Sequence, residues 1–248
     1  MTATAVAIVA EDVEITRQRA GKLPLPGYHA RPADGADLPA VVIVHELFGI
    51  NDNIRAITRR FAEQGYAALA VDLMAHGNRK LCIMRLFAGL VARPFSNRAT
   101  KEIQLGLRWL QAHPEVNDEQ GAIIGFCLGG GYALAVACVE QRVQACSAFY
   151  GFTPRPVRRF EDACPILGIY PGNDTFIVGQ SHKLDAALDR FDIPHEVVVY
   201  PGVEHSFFND DLDAYDPAAS ADAWQRTLTF FADHLQLPER FRRVQPGH

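Results

Sequence analysis

The residues best suited by type and spacing to do chemistry lie in the run Gly125-Phe126-Cys127-Leu128-Gly129-Gly130-Gly131. A nucleophile raised on a sharp strand-to-helix turn leaves no room for side chains two residues before and two after it. Gly125 and Gly129 meet that need. A helix beginning directly after Cys127 would favour an anion and lower the thiol pKa. The Leu128 N–H would then point at a developing oxyanion. Taken alone, the pattern also fits a glycine-rich turn around a buried cysteine.

Partners for such a thiol follow later in the chain. Pro165–Tyr170 reads as a strand running into Pro171-Gly172-Asn173-Asp174, and His195–Tyr200 as another running into Pro201-Gly202-Val203-Glu204-His205. The order Cys127, Asp174, His205 is nucleophile, acid and base, each placed after a strand. Asp174 also suits a helix N-cap. Asp162 competes for the acid role but precedes its strand. Of the nine histidines, His205 alone follows the last strand in a loop of small residues. Glu204 reads as a solvated charge. A second segment, Val44-His45-Glu46-Leu47-Phe48-Gly49, follows an early apolar strand, where the Leu47 N–H would supply a second oxyanion donor. Glu46 could take the thiol proton, or hold the thiol neutral until substrate binds. Its alternative is a pair with a surface arginine. His45 reads as packing.

The elements that must position these residues alternate between strands and helices. Val41–His45, Tyr66–Val71, Gly121–Phe126, Ala145–Tyr150, Pro165–Tyr170 and His195–Tyr200 read as strands. Asn53–Glu63, a segment capped by Ser96 and ending near Pro114, Leu128–Glu140, Gly179–Phe191 and Pro217–Leu235 read as helices. Such alternation predicts the α/β class: a mostly parallel central sheet flanked by helices on both faces. Val6–Val9 and Val13–Arg17 suggest an antiparallel hairpin at the sheet edge, followed by a Pro/Asp/Gly-rich loop. No inter-domain linker is apparent, so residues 1–248 read as one domain. The weakest segment, Leu73–Asn97, holds an apolar helical stretch at Leu81–Val91 and reads as a lid or a crossover insertion.

Composition excludes several functions. The net charge is −5, so there is no electrostatic footprint for nucleic acid. Arg155, Arg158 and Arg159 read as a solvated loop. No apolar run reaches the length of a membrane span. No Lys or Arg precedes the apolar start, as a secretory signal requires. A cytoplasmic protein with neither nucleic-acid nor membrane partner is expected. Five cysteines without a CxxC pair suggest free thiols; Cys82, Cys138, Cys146 and Cys164 default to packing. Asn209, Asp210, Asp211 and Asp213 lack EF-hand spacing, and no metal is expected.

Four blocks together resemble the dienelactone hydrolase family, the carboxymethylenebutenolidase type. They are His45-Glu46-Leu47-Phe48-Gly49, Gly125-Phe126-Cys127-Leu128-Gly129-Gly130, Gly172-Asn173-Asp174 and Glu204-His205-Ser206-Phe207. The resemblance implies an α/β-hydrolase fold and a Cys127/Asp174/His205 triad. It makes Glu46 an auxiliary acid that regulates the thiol, and implies an ester or lactone substrate cleaved without a cofactor. The family's best-known members carry arginines for a substrate carboxylate after the strand-end Asp and after the catalytic histidine. Here those regions read Asp72-Leu73-Met74-Ala75-His76-Gly77 and His205-Ser206-Phe207-Phe208-Asn209. His76, Arg79 or Lys80, and Phe207 are the remaining substrate-binding candidates, and a neutral lactone or small ester fits as well as an anionic dienelactone. The chain would act as a monomer or small homo-oligomer. The rivals are a cysteine-dependent acyltransferase and a non-catalytic binding protein on the same fold.

Overall fold

A computed structural model describes residues 6–16, 23–75 and 77–241. Among the described residues eight strands form one sheet: β1 (Ile8–Ile15), β2 (Leu25–Pro32), β3 (Leu38–Val44), β4 (Ala67–Val71), β5 (Val116–Phe126), β6 (Ala145–Phe149), β7 (Ile166–Pro171) and β8 (His195–Tyr200). Six helices accompany them: α1 (Asp52–Glu63), α2 (Arg79–Ala92), α3 (Arg98–Gln111), α4 (Leu128–Ala137), α5 (Gln180–Arg190) and α6 (Pro217–His234). The spatial order is β1-β2-β4-β3-β5-β6-β7-β8. β1 and β2 are antiparallel to their neighbours, and every other pairing is parallel.

The central strands are buried along their whole length. This explains their continuous apolar sequences: helices cover both faces, so no polar alternation is needed. On one face α1 meets α6 through Phe61, which packs on Trp224 and Phe231. α1 forms there because Ile54, Ile57 and Phe61 share one side, and the Asn51 side chain caps its start by accepting from Ile54 N–H. On the other face α3 packs on β3 and β4. α4 packs on β5 and β6, with α2 outside it.

The pairing register aligns the carboxyl ends that matter. Val44 of β3 is level with Gly125 of β5, and Pro171 of β7 with Tyr200 of β8. The loops leaving β3, β5, β7 and β8 therefore emerge on one edge, where open α/β sheets bind ligands.

The antiparallel edge exists, with other residues than expected. Ile8–Ile15 is one strand and pairs with Leu25–Pro32, not with a second segment before Arg17; Arg17 itself lies outside the described residues. β1 is an edge strand and exposes Glu11, Asp12 and Glu14, which an edge tolerates. In β2, Pro26 and Pro32 sit near the strand ends, so a loop-like composition still makes a strand. The third helix is capped by Asn97, not Ser96. Among the described residues no helix is long and apolar enough to cross a membrane.

Candidate active site

Cys127 joins β5 directly to α4 and holds φ 54°, ψ −117°. A positive φ at a non-glycine residue costs on the order of 1–3 kcal/mol and persists only where the surroundings impose it. Here close packing imposes it. A Cβ on Gly125 would lie 2.1 Å from the Gly129 carbonyl oxygen, and one on Gly129 would lie 2.3 Å from that of Val44. The turn is thus wedged against the end of β3. The Cys127 N–H donates to Phe149 O at 3.0 Å, which ties the turn to β6 as well.

Asp174 and His205 are brought together by two backbone bonds between their loops. Gly172 N–H donates to Tyr200 O (2.7 Å), and Asn173 N–H to Val203 O (2.8 Å). His205 Nδ1 then lies 2.5 Å from Asp174 Oδ2, with the carboxylate side chain almost fully buried. Asp174 also serves as a local cap: its Oδ1 accepts from the N–H groups of Phe176 (2.8 Å) and Ile177 (3.3 Å). With Nδ1 donating to Asp174, Nε2 is left as the acceptor. That nitrogen is buried and has no hydrogen-bond partner among the described residues. The imidazole is framed by the rings of Tyr150 (4.9 Å between centroids) and Phe176 (5.8 Å).

Glu46 is buried, and its carboxylate is bonded within the site. Ser206 Oγ donates to Oε1 at 2.9 Å, and Asn209 Nδ2 donates to Oε2 at 3.0 Å. The alternative of a surface arginine partner is thereby replaced, because both oxygens point inward to the His205 loop. Its charge acts on Cys127 and on the buried Tyr150 hydroxyl, whose ionisation burial and then Glu46 disfavour. The Cys127 thiol is pushed up to about 12, first by burial and second by Glu46, against an opposing pull from the Leu128 N–H. This corrects the expectation of a lowered pKa. The helix terminus does act in the expected direction, but desolvation and a neighbouring carboxylate outweigh it.

His45 bridges two loops. Its Nδ1 lies 2.5 Å from Glu46 O, and Nε2 accepts from Leu73 N–H at 3.1 Å. Burial lowers its pKa, consistent with a neutral ring that fixes the Glu46 backbone. Leu47 is half-buried; its carbonyl accepts from Arg79 Nη2 at 3.3 Å, and the Arg79 guanidinium also lies over the Phe48 ring. Arg79 thus reaches the rim of the site. Lys80 is exposed in the first turn of α2. His76 lies outside the described residues.

Phe207 is not at the site surface. It is fully buried against Phe149, Tyr150 and Tyr200, because the loop turns at Ser206 (φ 62°) and directs the next ring into the core. The exposed aromatic beside the imidazole is instead Phe176, 59% accessible. Its signal was its place two residues after Asp174. Ser206 and Asn209 were also missed, since nothing in their own segment points to Glu46. Asp210 and Asp211 accept from Asn53 and Asn51 at the start of α1.

A mostly parallel sheet with a cysteine on a strained strand–helix turn after β5, and an Asp–His pair on the loops after β7 and β8, defines an α/β-hydrolase. The model of the dienelactone hydrolase family matches residues 25–235, and the chain belongs to that family. A Salmonella typhi protein named "Putative carboxymethylenebutenolidase" is 34% identical over 226 residues, covering 85% of this chain and 83% of its own. One of the same name from Saccharolobus solfataricus is 30% identical over 226 residues, covering 77% and 88%. Among solved structures, the Klebsiella pneumoniae "Putative Dienelactone Hydrolase" is 33% identical, with a TM-score of 0.79 over 91% of this chain and 99% of its own. An esterase from Pyrobaculum calidifontis, 18% identical with a TM-score of 0.67 over 92% of this chain and 87% of its own, shares the fold. The protein is a carboxylic ester hydrolase.

Proposed function

We propose that the protein hydrolyses a small ester or lactone of the dienelactone type, with Cys127 as nucleophile and a thioester intermediate. The observation that carries this reading is the Cys127 turn, strained and wedged by glycines, on the sheet edge that also holds the His205–Asp174 pair. That strain has no packing purpose that a glycine would not serve better.

In the resting state the Glu46 carboxylate and burial keep the thiol protonated. When substrate enters, the thiol proton passes to His205 Nε2 and the sulfur attacks the ester carbonyl. The N–H groups of Leu47 and Leu128 receive the oxyanion, each worth about 3 kcal/mol in comparable sites. Collapse breaks the C–O bond, and the imidazolium protonates the departing oxygen, which stays tethered when the substrate is a lactone. Water then attacks the thioester as His205 takes its proton; the thiolate leaves and is reprotonated. Asp174 orients the imidazole and stabilises its cation. Every group required is a protein group, so the chemistry needs no cofactor. The exposed ring of Phe176 beside His205, with Phe48 at the rim, suits an unsaturated or otherwise planar acyl group.

The test is rapid-quench mass spectrometry with an activated short-chain aryl ester. The expected result is an acyl adduct on the Cys127 peptide that forms and decays at the turnover rate. An adduct on another residue, or full turnover by Cys127→Ala, overturns the reading.

A further inference from the structure

α2 is apolar on both sides, yet only one side is packed. Cys82, Leu86 and Leu90 face the interior, where a Cβ on Gly131 of α4 would lie 2.7 Å from Leu90 and the Tyr132 hydroxyl donates to Leu86 O at 2.8 Å. On the opposite side Leu81, Met84, Ala88 and Val91 follow one another at helical spacing, three and four residues apart, and all are exposed, Met84 by 60% and Val91 by 76%. At 100° per residue, Lys80 and Arg85 fall on the two borders of this strip. An apolar strip of this kind on a helix surface marks a docking face.

Charge identifies what docks. The chain carries a net charge of −5, yet residues 73–101 contain six Lys and Arg and no Asp or Glu. Lys80, Arg85 and Arg93 make no ion pair among the described residues. An apolar strip bordered by unpaired cations matches the boundary between acyl chains and anionic headgroups. The strip also leads to the active site. Phe87, on the flank of α2, meets Phe152 (6.2 Å), Phe152 meets Phe176 (5.8 Å), and Phe176 meets His205 (5.8 Å). A surface bound at α2 is therefore joined to the His205 imidazole by a continuous run of ring contacts.

We infer that the outer face of α2 docks the protein peripherally onto an anionic lipid surface, with Leu81, Met84 and Val91 entering the acyl boundary and Lys80 and Arg85 meeting the headgroups. Such docking needs no membrane-spanning helix, replaces the expectation of no membrane partner, and does not depend on which residue is the nucleophile.

The experiment is co-sedimentation of the full chain with vesicles of mixed phosphatidylglycerol and phosphatidylcholine, against phosphatidylcholine alone. Partitioning onto the anionic vesicles is expected to exceed that onto neutral ones by roughly tenfold or more and to weaken with salt. The variants Met84→Glu/Val91→Glu and Arg85→Glu should each lose most of it, while the rate on a soluble short-chain ester and the circular dichroism stay unchanged. Absence of binding, equal binding to both vesicles, or survival of binding in both variants overturns the inference. So does a solution dimer of the wild type that Met84→Glu/Val91→Glu dissociates, since the strip would then be covered by a second copy.

Discussion

Cys127 and Cys164 are both held protonated by burial, each pushed up to about 12, yet their surroundings differ in kind. Cys164 lies within electrostatic reach of Cys138 and Cys146. Its backbone N–H donates to Ala137 O at 3.2 Å, in regular φ/ψ space. No imidazole or carboxylate is among the charges that shift it. Cys127 sits at positive φ, under the charge of Glu46 and against the Leu128 N–H. A thiol's resting pKa therefore does not by itself set the proposed nucleophile apart from a packed thiol. The difference lies in presentation: Cys127, unlike Cys164, sits on a strained turn on the sheet edge that also carries Glu46 and the His205–Asp174 pair.

The largest effect is expected from Cys127→Ala, which should lower turnover by roughly 10⁴-fold or more. Cys164→Ala should leave kcat within about threefold and lower stability by about 1 kcal/mol. Comparable losses of activity in both would erase the distinction. Next, Asp174→Asn should lower kcat by about 10⁴-fold through the wrong imidazole tautomer. Thermal unfolding, followed alongside, separates this from loss of the Phe176 and Ile177 caps; a rate within tenfold of wild type would remove Asp174 from the mechanism.

A smaller effect concerns Glu46. Its negative charge opposes ionisation of Cys127, so Glu46→Gln should lower the thiol pKa and speed alkylation by iodoacetamide at pH 8, about tenfold for each unit of pKa. The Cys164 rate serves as the internal control. An unchanged Cys127 rate across pH would sink the regulatory role. The smallest contrast is one in which the two thiols should agree. Each has a folded pKa raised from 9.0 to about 12. Below pH 9 both folded and unfolded thiols are protonated and the stability is fully present. As pH rises towards 12 only the unfolded chain ionises, and stability falls by about 1.4 kcal/mol per pH unit for each thiol. Denaturant titrations from pH 8 to 11 should therefore show a shallower alkaline slope for Cys127→Ala and for Cys164→Ala alike. A slope unchanged by either substitution would mean that these thiols are not desolvated.

Much of the site was legible in the sequence because its requirements are local. The glycines around Cys127 are demanded by a turn of five residues, and the order of Cys127, Asp174 and His205 follows from strands whose apolar runs mark a sheet covered on both faces. The alternation of elements likewise determined the α/β class. The failures were of another sort. β2 reads as a loop because Pro24, Pro26 and Pro32 crowd it, and only pairing with β1 and β4 makes it a strand. The partners of Glu46 lie 160 and 163 residues away, so no window of sequence joins them. Whether Phe207 or Phe176 faces the imidazole depends on the path of each loop, not on residue type. α2 is the clearest case. Its sequence carries apolar residues on two opposite sides, and packing of one side on α4 and α3 decided which of them remain in solvent. Local backbone chemistry can be read along the chain, but which side of an apolar element is buried is a property of the neighbours that the fold brings to it.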